Sequence, residues 1–338
     1  MLVDDYKELL HEDFLNFLEE KSILIVGATG MIGAYFAKSI LEVKRRYNRK
    51  IEVSLMARDR DKLNYLFSSY SNEFKYLQHD ISHEITDRNR YDVFFHASSP
   101  ASPIFHSQDS EFYNLINANV LGIKNIVEKA KLDDSELIVY LSTSYIYGEE
   151  KNEDSPSIIL PSDKGSHYSI SKILAEKILI HESINSSFNY LIIRPFNTYG
   201  PGIRMGEGRI IGDLVQSIKS KNKIEFKSPP NHQNSFCYLS DFINAIDFIF
   251  SDSYKNCIYN IGNDEEIYSL IEIAELLNQD TSTKFKFSFN QDSQRPLQSK
   301  PKMIKSKLPD LSKLKSTGWK PRVGLVEGIK RTMDADTL

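Results

Sequence analysis

The sequence predicts an α/β protein: a doubly wound parallel sheet carrying a smaller lobe supplied mainly by its C-terminal part. Three observations predict it. Short apolar runs alternate with helical patterns through the first half of the chain, as repeated βαβ units require. Gly27, Gly30 and Gly33 stand between the first apolar run and a helical segment. Beyond Tyr199 the pattern breaks into shorter segments holding most of the proline and lysine clusters, which suits a small substrate-binding lobe.

In chain order, residues 1–20 place Leu10, Phe14, Phe17 and Leu18 at helical spacing, with Asp4, Asp5, Glu12 and Glu19 among the polar positions. This reads as an amphipathic helix docked near the first strand, with a partner-binding or dimer helix as the alternative. Ile23–Val26 form the first strand, and a helix starts near Met31 and runs through Ala34–Val43. The basic run Lys44, Arg45, Arg46, Arg49, Lys50 suits the helix C-terminus and needs no function. Further strands are expected at Ile51–Ala57, Lys75–His79, Asp92–Ala97 and Glu136–Leu141. A long helix is expected from about Ser110 to Lys131, and another from Tyr168 to His181. Segments near 188–196 and about 241–262 are expected to return to the main sheet. The division is then 1–198 for the first domain and 199–338 for most of the lobe, with neither a repeat nor a low-complexity linker between them.

Bulk properties exclude several classes. A chain of 338 residues holds two domains or one large α/β domain with an appended lobe. A formal net charge of -4 gives no electrostatic case for nucleic acid. No apolar run approaches the ~20 residues of a membrane helix, and the acidic N-terminus lacks a signal pattern, so a cytoplasmic protein is expected. Cys237 and Cys257 have neither metal nor redox spacing, and no metal is expected. His96 is expected to satisfy local backbone groups rather than to ligate one.

The glycine spacing has a physical reason. A tight turn brings the backbone against a pyrophosphate, whose charge the amides at the helix N-terminus can take, while the third glycine lets helix and strand pack flush. This is the Rossmann-type arrangement, and Gly27, Thr29, Gly30, Met31, Ile32 and Gly33 are the expected dinucleotide contacts. Asp80 and Ile81 are expected at the adenine edge, and Ala97, Ser98, Asn119 and Pro195 elsewhere along the cofactor. Small residues in the loop Ser98–Pro103 let the backbone pass close to it.

The second strand ends in Ala57 followed by Arg58, where a carboxylate commonly takes the ribose 2′-hydroxyl. A guanidinium there favours a 2′-phosphate, which it can pair bidentately. NADP(H) is therefore favoured, with NAD(H) possible through Asp59.

Tyr168 and Lys172 stand four apart, which puts both on one helical face. A tyrosine pKa is ordinarily about 10, and a neighbouring ammonium can stabilise the phenolate so that it exchanges a proton near neutral pH. The same lysine can hold the nicotinamide ribose. Thr143 or Ser144, at the preceding strand tip, can hydrogen-bond the same substrate oxygen.

With these motifs together, from about Lys21 to Thr332, the chain resembles the extended short-chain dehydrogenases/reductases of the nucleotide-sugar epimerase/dehydratase family. The stretches HASSPASP (96–103) and STSYIYG (142–148) look closest to its UDP-glucuronate decarboxylase-like and surface-polysaccharide branch. RPFNTYGP (194–201), SFCYLSD (235–241), NIGN (260–263) and PDLSKLKSTGWKP (309–321) match as well. The resemblance implies Tyr168 as acid/base, Lys172 as its activator, Thr143 as third member, and Asn197 on the sugar-nucleotide side. It also implies a nucleotide-sugar substrate, a homodimer and a place in O-antigen or capsule precursor synthesis.

Two departures shape the reading. Decarboxylases and 4,6-dehydratases of this family place Ser-Glu or Asp-Glu after the strand-tip threonine, whereas this chain has Ser144 and Tyr145. Removing a proton from C5 needs a base, and that carboxylate is missing. Asn234 stands where relatives carry an arginine for the diphosphate, leaving Arg204, Arg209, Arg295 or the lysines at 300–307 to supply charge. Chemistry at C4 that needs only hydride and one proton survives. The leading expectation is an NADPH-dependent 4-ketoreductase acting on a dTDP- or GDP-linked 4-keto-6-deoxyhexose. An NAD-dependent C4 epimerase is the runner-up, and a non-catalytic dinucleotide-binding protein a lesser alternative.

Overall fold

The computed structural model describes residues 12–103, 109–147, 151–155, 166–220, 224–226, 231–252, 254–280, 287–289 and 308–335. Asp4, Asp5, Leu10, Gly148, Arg295 and the lysines at 300–307 lie outside them.

Six strands succeed one another in chain order, each within a residue of expectation: β1 (Ser22–Val26), β2 (Glu52–Ala57), β3 (Phe74–Gln78), β4 (Val93–His96), β5 (Leu137–Leu141) and β6 (Asn189–Pro195). With Cys257–Ile261 they make one seven-stranded sheet in the order Cys257–Ile261, β6, β5, β4, β1, β2, β3. Every pairing in it is parallel. The strand order reverses between β1 and β4, so the crevice beyond their C-terminal ends is the ligand position of such a sheet.

Both faces are buried, which explains why the strands read as continuous apolar runs. Ile23, Ile25, Val53, Leu55 and Phe95 pack on one side with the helix Met31–Tyr47. Leu24, Val26, Met56, Phe94 and Ile138 pack on the other with the helices Gly122–Asp133 and His167–Ser183. The N-terminal helix Glu12–Leu18 turns inward, with the Phe14 ring 4.4 Å from Phe250 and 5.9 Å from Phe36.

Two expectations are corrected. Residues 241–252 do not return as a strand: they lie in the helix Leu239–Asp252, and the returning strand is Cys257–Ile261. Phe242, Ile243, Ile246, Ile249 and Phe250 recur at helical spacing, and all are buried. The helix expected from Ser110 to Lys131 is not continuous. A short 3₁₀ turn at Asp109–Glu111 and the helix Phe112–Ile116 lead into a π-turn at Asn117–Leu121, and the α-helix resumes at Gly122. Such a turn inserts one residue into the helical ladder and re-aims the side chains beyond it.

The smaller lobe has its own core, in which Tyr199, Ile211, Leu214, Val215, Phe236, Tyr238, Leu270, Ile273 and Ile329 cluster. Its strands are short pairs, such as Thr198–Tyr199 with Cys237–Tyr238 and Gln233–Ser235 with Ile267–Ser269.

Candidate active site

The glycine turn sits at the C-terminal end of β1 as its spacing requires. Gly27 has φ +84, and a Cβ on it would lie 2.7 Å from the Ser98 backbone nitrogen. A Cβ on Gly33 would lie 2.4 Å from the Gly27 carbonyl oxygen. Turn, helix and the Ala97–Ser98 backbone can therefore approach only without side chains at these two positions. The helix Met31–Tyr47 starts at Gly30 with no side-chain cap, which leaves its first amides to an anion. This cradle fits a dinucleotide pyrophosphate. Thr29, Met31 and Ile32 are partly exposed along it. Pro195 ends β6 on the same edge of the sheet.

At the end of β2, the Arg58 side chain is 79% exposed, and its Nη1 lies 3.5 Å from Asp80 Oδ2. Asp59 accepts a hydrogen bond from the Lys62 amide at 2.9 Å and so caps the helix Arg60–Leu66. That bond engages one of the two carboxylate oxygens of Asp59. Asp80 also accepts from the Ser82 amide at 3.0 Å and the Ser82 hydroxyl at 2.8 Å. Burial pushes the Asp80 carboxyl up, but these bonds and Arg58 outweigh it and hold the group below the ordinary range. Ile81 is buried and packs against the Cα of Gly122, where a Cβ would lie 3.3 Å from it.

Tyr168 and Lys172 emerge together from the helix His167–Ser183, both almost fully buried. Lys172 Nζ donates to the Leu141 carbonyl at 2.7 Å and lies 6.0 Å from the centroid of the Tyr168 ring. Burial lowers its pKa to about 7, against the charge of Glu176 one turn on. Burial pushes the Tyr168 phenol up to about 12, opposed by hydrogen bonding with Thr143, the charge of Arg209 and hydrogen bonding with Ser99. In the free protein the lowering influences on the phenol thus come from Thr143, Arg209 and Ser99, where the sequence points to the lysine.

Thr143 lies just beyond β5, and its Oγ1 accepts the Tyr145 amide at 3.2 Å, which leaves its own hydrogen to donate. Ser144 is buried in the following 3₁₀ turn. Tyr145 sets its ring edge-on to Tyr168, with centroids 6.3 Å apart. The strand tip therefore presents a hydroxyl and an aromatic ring to Tyr168.

Below the pair lies a buried ionic network. Arg194 Nε and Nη2 donate to Glu176 at 3.1 and 2.7 Å, and both side chains are under one-tenth exposed. Arg194 Nη1 also donates to Tyr147 Oη at 2.7 Å, and Tyr147 donates to Asn260 Oδ1 at 2.7 Å. Burial opposes the Arg194 charge, but Glu176 more than offsets it and raises the guanidinium above its ordinary range.

Arg209 enters from the smaller lobe, donates to the Ala101 carbonyl at 2.6 Å and brings its charge to bear on Tyr168. Arg204 pairs instead with Glu207 at 3.2 Å and is mostly exposed. Asn197, in a left-handed conformation at φ 39, donates to the Ser235 carbonyl at 3.0 Å. Asn234 is buried and donates to the His232 carbonyl at 3.0 Å.

One further expectation changes. His96 satisfies no backbone group: it is fully buried and neither ring nitrogen has a hydrogen-bond partner among the described residues. Burial, then the charge of Lys172, pushes it down to about 3, so the imidazole is neutral. Asn119, expected at the cofactor, has a fully buried side chain. Its Oδ1 accepts from Ser99 at 2.8 Å and its Nδ2 donates to Ser171 at 2.9 Å. Sequence reasoning misses Ser99, Glu176 and Arg194. The signal for Ser99 is a hydroxyl within a loop whose small residues suggest only backbone clearance.

Comparison with known proteins bears on the family and the fold. The family model described as "NAD dependent epimerase/dehydratase family" matches residues 23–262. UDP-glucuronic acid decarboxylase 3 of Arabidopsis thaliana is 27% identical over 318 residues, 91% of this chain and 86% of the relative. UDP-glucuronic acid decarboxylase 1 of Xenopus tropicalis is 24% identical, covering 95% of this chain and 73% of the relative. Among solved structures, the UDP-glucuronic acid 4-epimerase of Bacillus cereus with UDP-glucuronic acid and NAD superposes with TM-score 0.75. It covers 93% of this chain and 98% of that one, and at 20% identity the likeness shows the fold.

Proposed function

The chain belongs to the NAD dependent epimerase/dehydratase family, and from that premise we propose that it is an NADPH-dependent 4-ketoreductase of a nucleotide-linked 4-keto-6-deoxyhexose. One observation carries the choice of reaction. Where decarboxylation or dehydration would need a base beside the strand-tip threonine, Tyr168 faces the Tyr145 ring at 6.3 Å. A phenol ring is no substitute for a carboxylate that must remove a carbon-bound proton.

Reduction needs less. A nicotinamide held in the cradle would supply hydride to C4. Tyr168 then gives its proton to the developing oxyanion at O4, and Thr143 donates a hydrogen bond to the same oxygen. Lys172 would hold the nicotinamide ribose, and with the cofactor bound its ammonium, one turn from Tyr168, would add to the support that Thr143 and Arg209 give the phenolate. Arg209, arriving from the smaller lobe beside Ala101, supplies charge for the substrate diphosphate in place of the residue at Asn234. A 6-deoxy sugar suits the aromatic neighbour at Tyr145, and such sugars suit surface-polysaccharide precursors.

Cofactor choice rests on Arg58, whose mostly exposed guanidinium can turn to a 2′-phosphate from its 3.5 Å pairing with Asp80, while Asp59 caps a helix. NADPH is expected to bind roughly 10-fold to 150-fold more tightly than NADH, the scale of one charge-assisted hydrogen bond of ~1.5–3 kcal/mol. Arg58→Ala should erase most of that preference and leave NADH affinity nearly unchanged. Equal binding of the two cofactors by the wild type would overturn the assignment. The second reading, an NAD-dependent C4 epimerase, is favoured by Asp80, which already partners Arg58, and by the NAD in the solved relatives. Purified protein retaining NAD tightly would favour the epimerase. Consumption of NADPH on addition of a 4-keto-6-deoxy sugar nucleotide would favour the reductase.

A further inference from the structure

Lys172 can serve the phenolate and the ribose only as an ammonium, yet its side chain is almost fully buried. A charge taken out of water is costly unless its surroundings compensate. Glu176, one turn further along the helix, gives both carboxylate oxygens to Arg194, at 3.1 and 2.7 Å. What meets the amine directly comes from two consecutive residues at the end of β5. The Leu141 carbonyl accepts from Nζ at 2.7 Å, and Nζ lies over the Tyr140 ring, 4.7 Å from its centroid. Strand alternation allows this. The Tyr140 side chain packs on the face covered by the catalytic helix, while Leu141 packs on the opposite face and offers Lys172 only its carbonyl.

The hydroxyl of Tyr140 is not what this position uses. The residue is fully buried, and its Oη has no hydrogen-bond partner among the described residues. Such an unpaired hydroxyl costs stability. His96, opposite Tyr140 in the register of β4 and β5, sets its ring against the same aromatic, with centroids 5.3 Å apart. Burial keeps that imidazole neutral, so it brings no positive charge to compete for the ring. The ring face is left as the feature that serves the site.

Resting on the role of Lys172 at the phenolate and the ribose, we propose that Tyr140 is a positioning residue, whose ring seats the Lys172 ammonium and holds it charged beside Tyr168. The negative face of an aromatic ring attracts a cation, most strongly where water is excluded. The seat favours the protonated amine and so opposes burial, which lowers the Lys172 pKa to about 7. The titratable groups around the amine are Tyr168 and Glu176 on its own helix, Tyr140 on β5, His96 on β4 and Arg194 on β6. With the phenol neutral, Glu176 and the Tyr140 ring are the two that favour the charge.

The test reads the amine itself, without substrate. Carbon NMR of lysine Cε in the cofactor-free protein follows the Lys172 titration, with the signal assigned by its loss in Lys172→Met. Tyr140→Leu keeps apolar bulk without a ring, and the midpoint should fall by about one pH unit, roughly a tenfold loss of proton affinity. Tyr140→Phe keeps the ring and removes the unpartnered hydroxyl, and the midpoint should stay in place. Phenylalanines of increasing ring fluorination at the same position keep the shape and drain the negative face, so the midpoint should fall stepwise along the series. Cofactor affinity near neutral pH should fall in the same order and recover at lower pH, where the amine is protonated again. An unmoved midpoint across the fluorinated series would overturn the proposal whatever Tyr140→Leu does, because lost packing would then account for that variant. A fall in Tyr140→Phe as large as in Tyr140→Leu would overturn it too, since the hydroxyl rather than the ring would be holding the charge. The role of Lys172 fails separately: unchanged turnover and cofactor affinity in Lys172→Ala would remove that role even with the midpoint shifts as expected.

Discussion

Tyr168→Phe is expected to remove nearly all turnover, on the scale of ~100-fold to 10,000-fold for loss of a general acid/base, with cofactor binding close to normal. The ring is buried and keeps its shape in the variant; only the proton is lost. Steady-state rates with a 4-keto sugar nucleotide, alongside cofactor titration of the same preparation, check both halves. A variant retaining half its activity would contradict the assignment. Loss of cofactor binding together with activity would indicate a damaged site rather than a missing acid.

Glu176→Ala is expected to destabilise the fold by about 3–5 kcal/mol, because it leaves the Arg194 guanidinium buried without its anion. The pair is bidentate and buried, joining Glu176 of the catalytic helix to Arg194 of β6, where water cannot take over the charge. Denaturant unfolding monitored by circular dichroism measures the loss. The double variant Glu176→Leu with Arg194→Met should recover much of it, since it removes both charges and keeps apolar volume. A loss under about 1 kcal/mol in the single variant would mean that Arg194 finds compensation elsewhere. Glu176 also raises the Lys172 pKa, so its removal is expected to make that lysine still easier to deprotonate.

Much of the fold is legible in the sequence because its strands are two-sided and apolar. Ile23–Val26, Leu137–Leu141 and their neighbours could not be exposed on either face, and the glycines at 27 and 33 admit no Cβ. Tyr168 and Lys172 are legible because helical spacing alone places them together. The features that escape the sequence depend on tertiary placement. A π-turn inserts a single residue into an otherwise helical pattern, and the sequence around Asn119 carries no glycine or proline to announce it before Gly122. Ser99 meets Asn119 only because the loop after β4 folds beside the broken helix. His96 has no hydrogen-bond partner among the described residues, and its ring is enclosed beside Tyr140, with centroids 5.3 Å apart, a contact that no local spacing encodes. The helix Leu239–Asp252 escapes for a different reason. Its apolar residues are dense enough to suggest a buried strand, and only their periodicity separates the two.

Product analysis after side-by-side incubation with UDP-glucuronate, dTDP-glucose and a dTDP-4-keto-6-deoxyhexose with NADPH tests the central claim most directly, that the site moves hydride and one proton at C4 without elimination or decarboxylation. The expected result is a 4-hydroxy product from the keto sugar, one NADPH consumed per product, and neither UDP-xylose nor a 4-keto-6-deoxy product from the other two. Formation of UDP-xylose from UDP-glucuronate, or of a 4-keto-6-deoxy sugar from dTDP-glucose, at ordinary enzymatic rates would contradict it, because a base would then be acting at C5 although Ser144 and Tyr145 follow the strand-tip threonine.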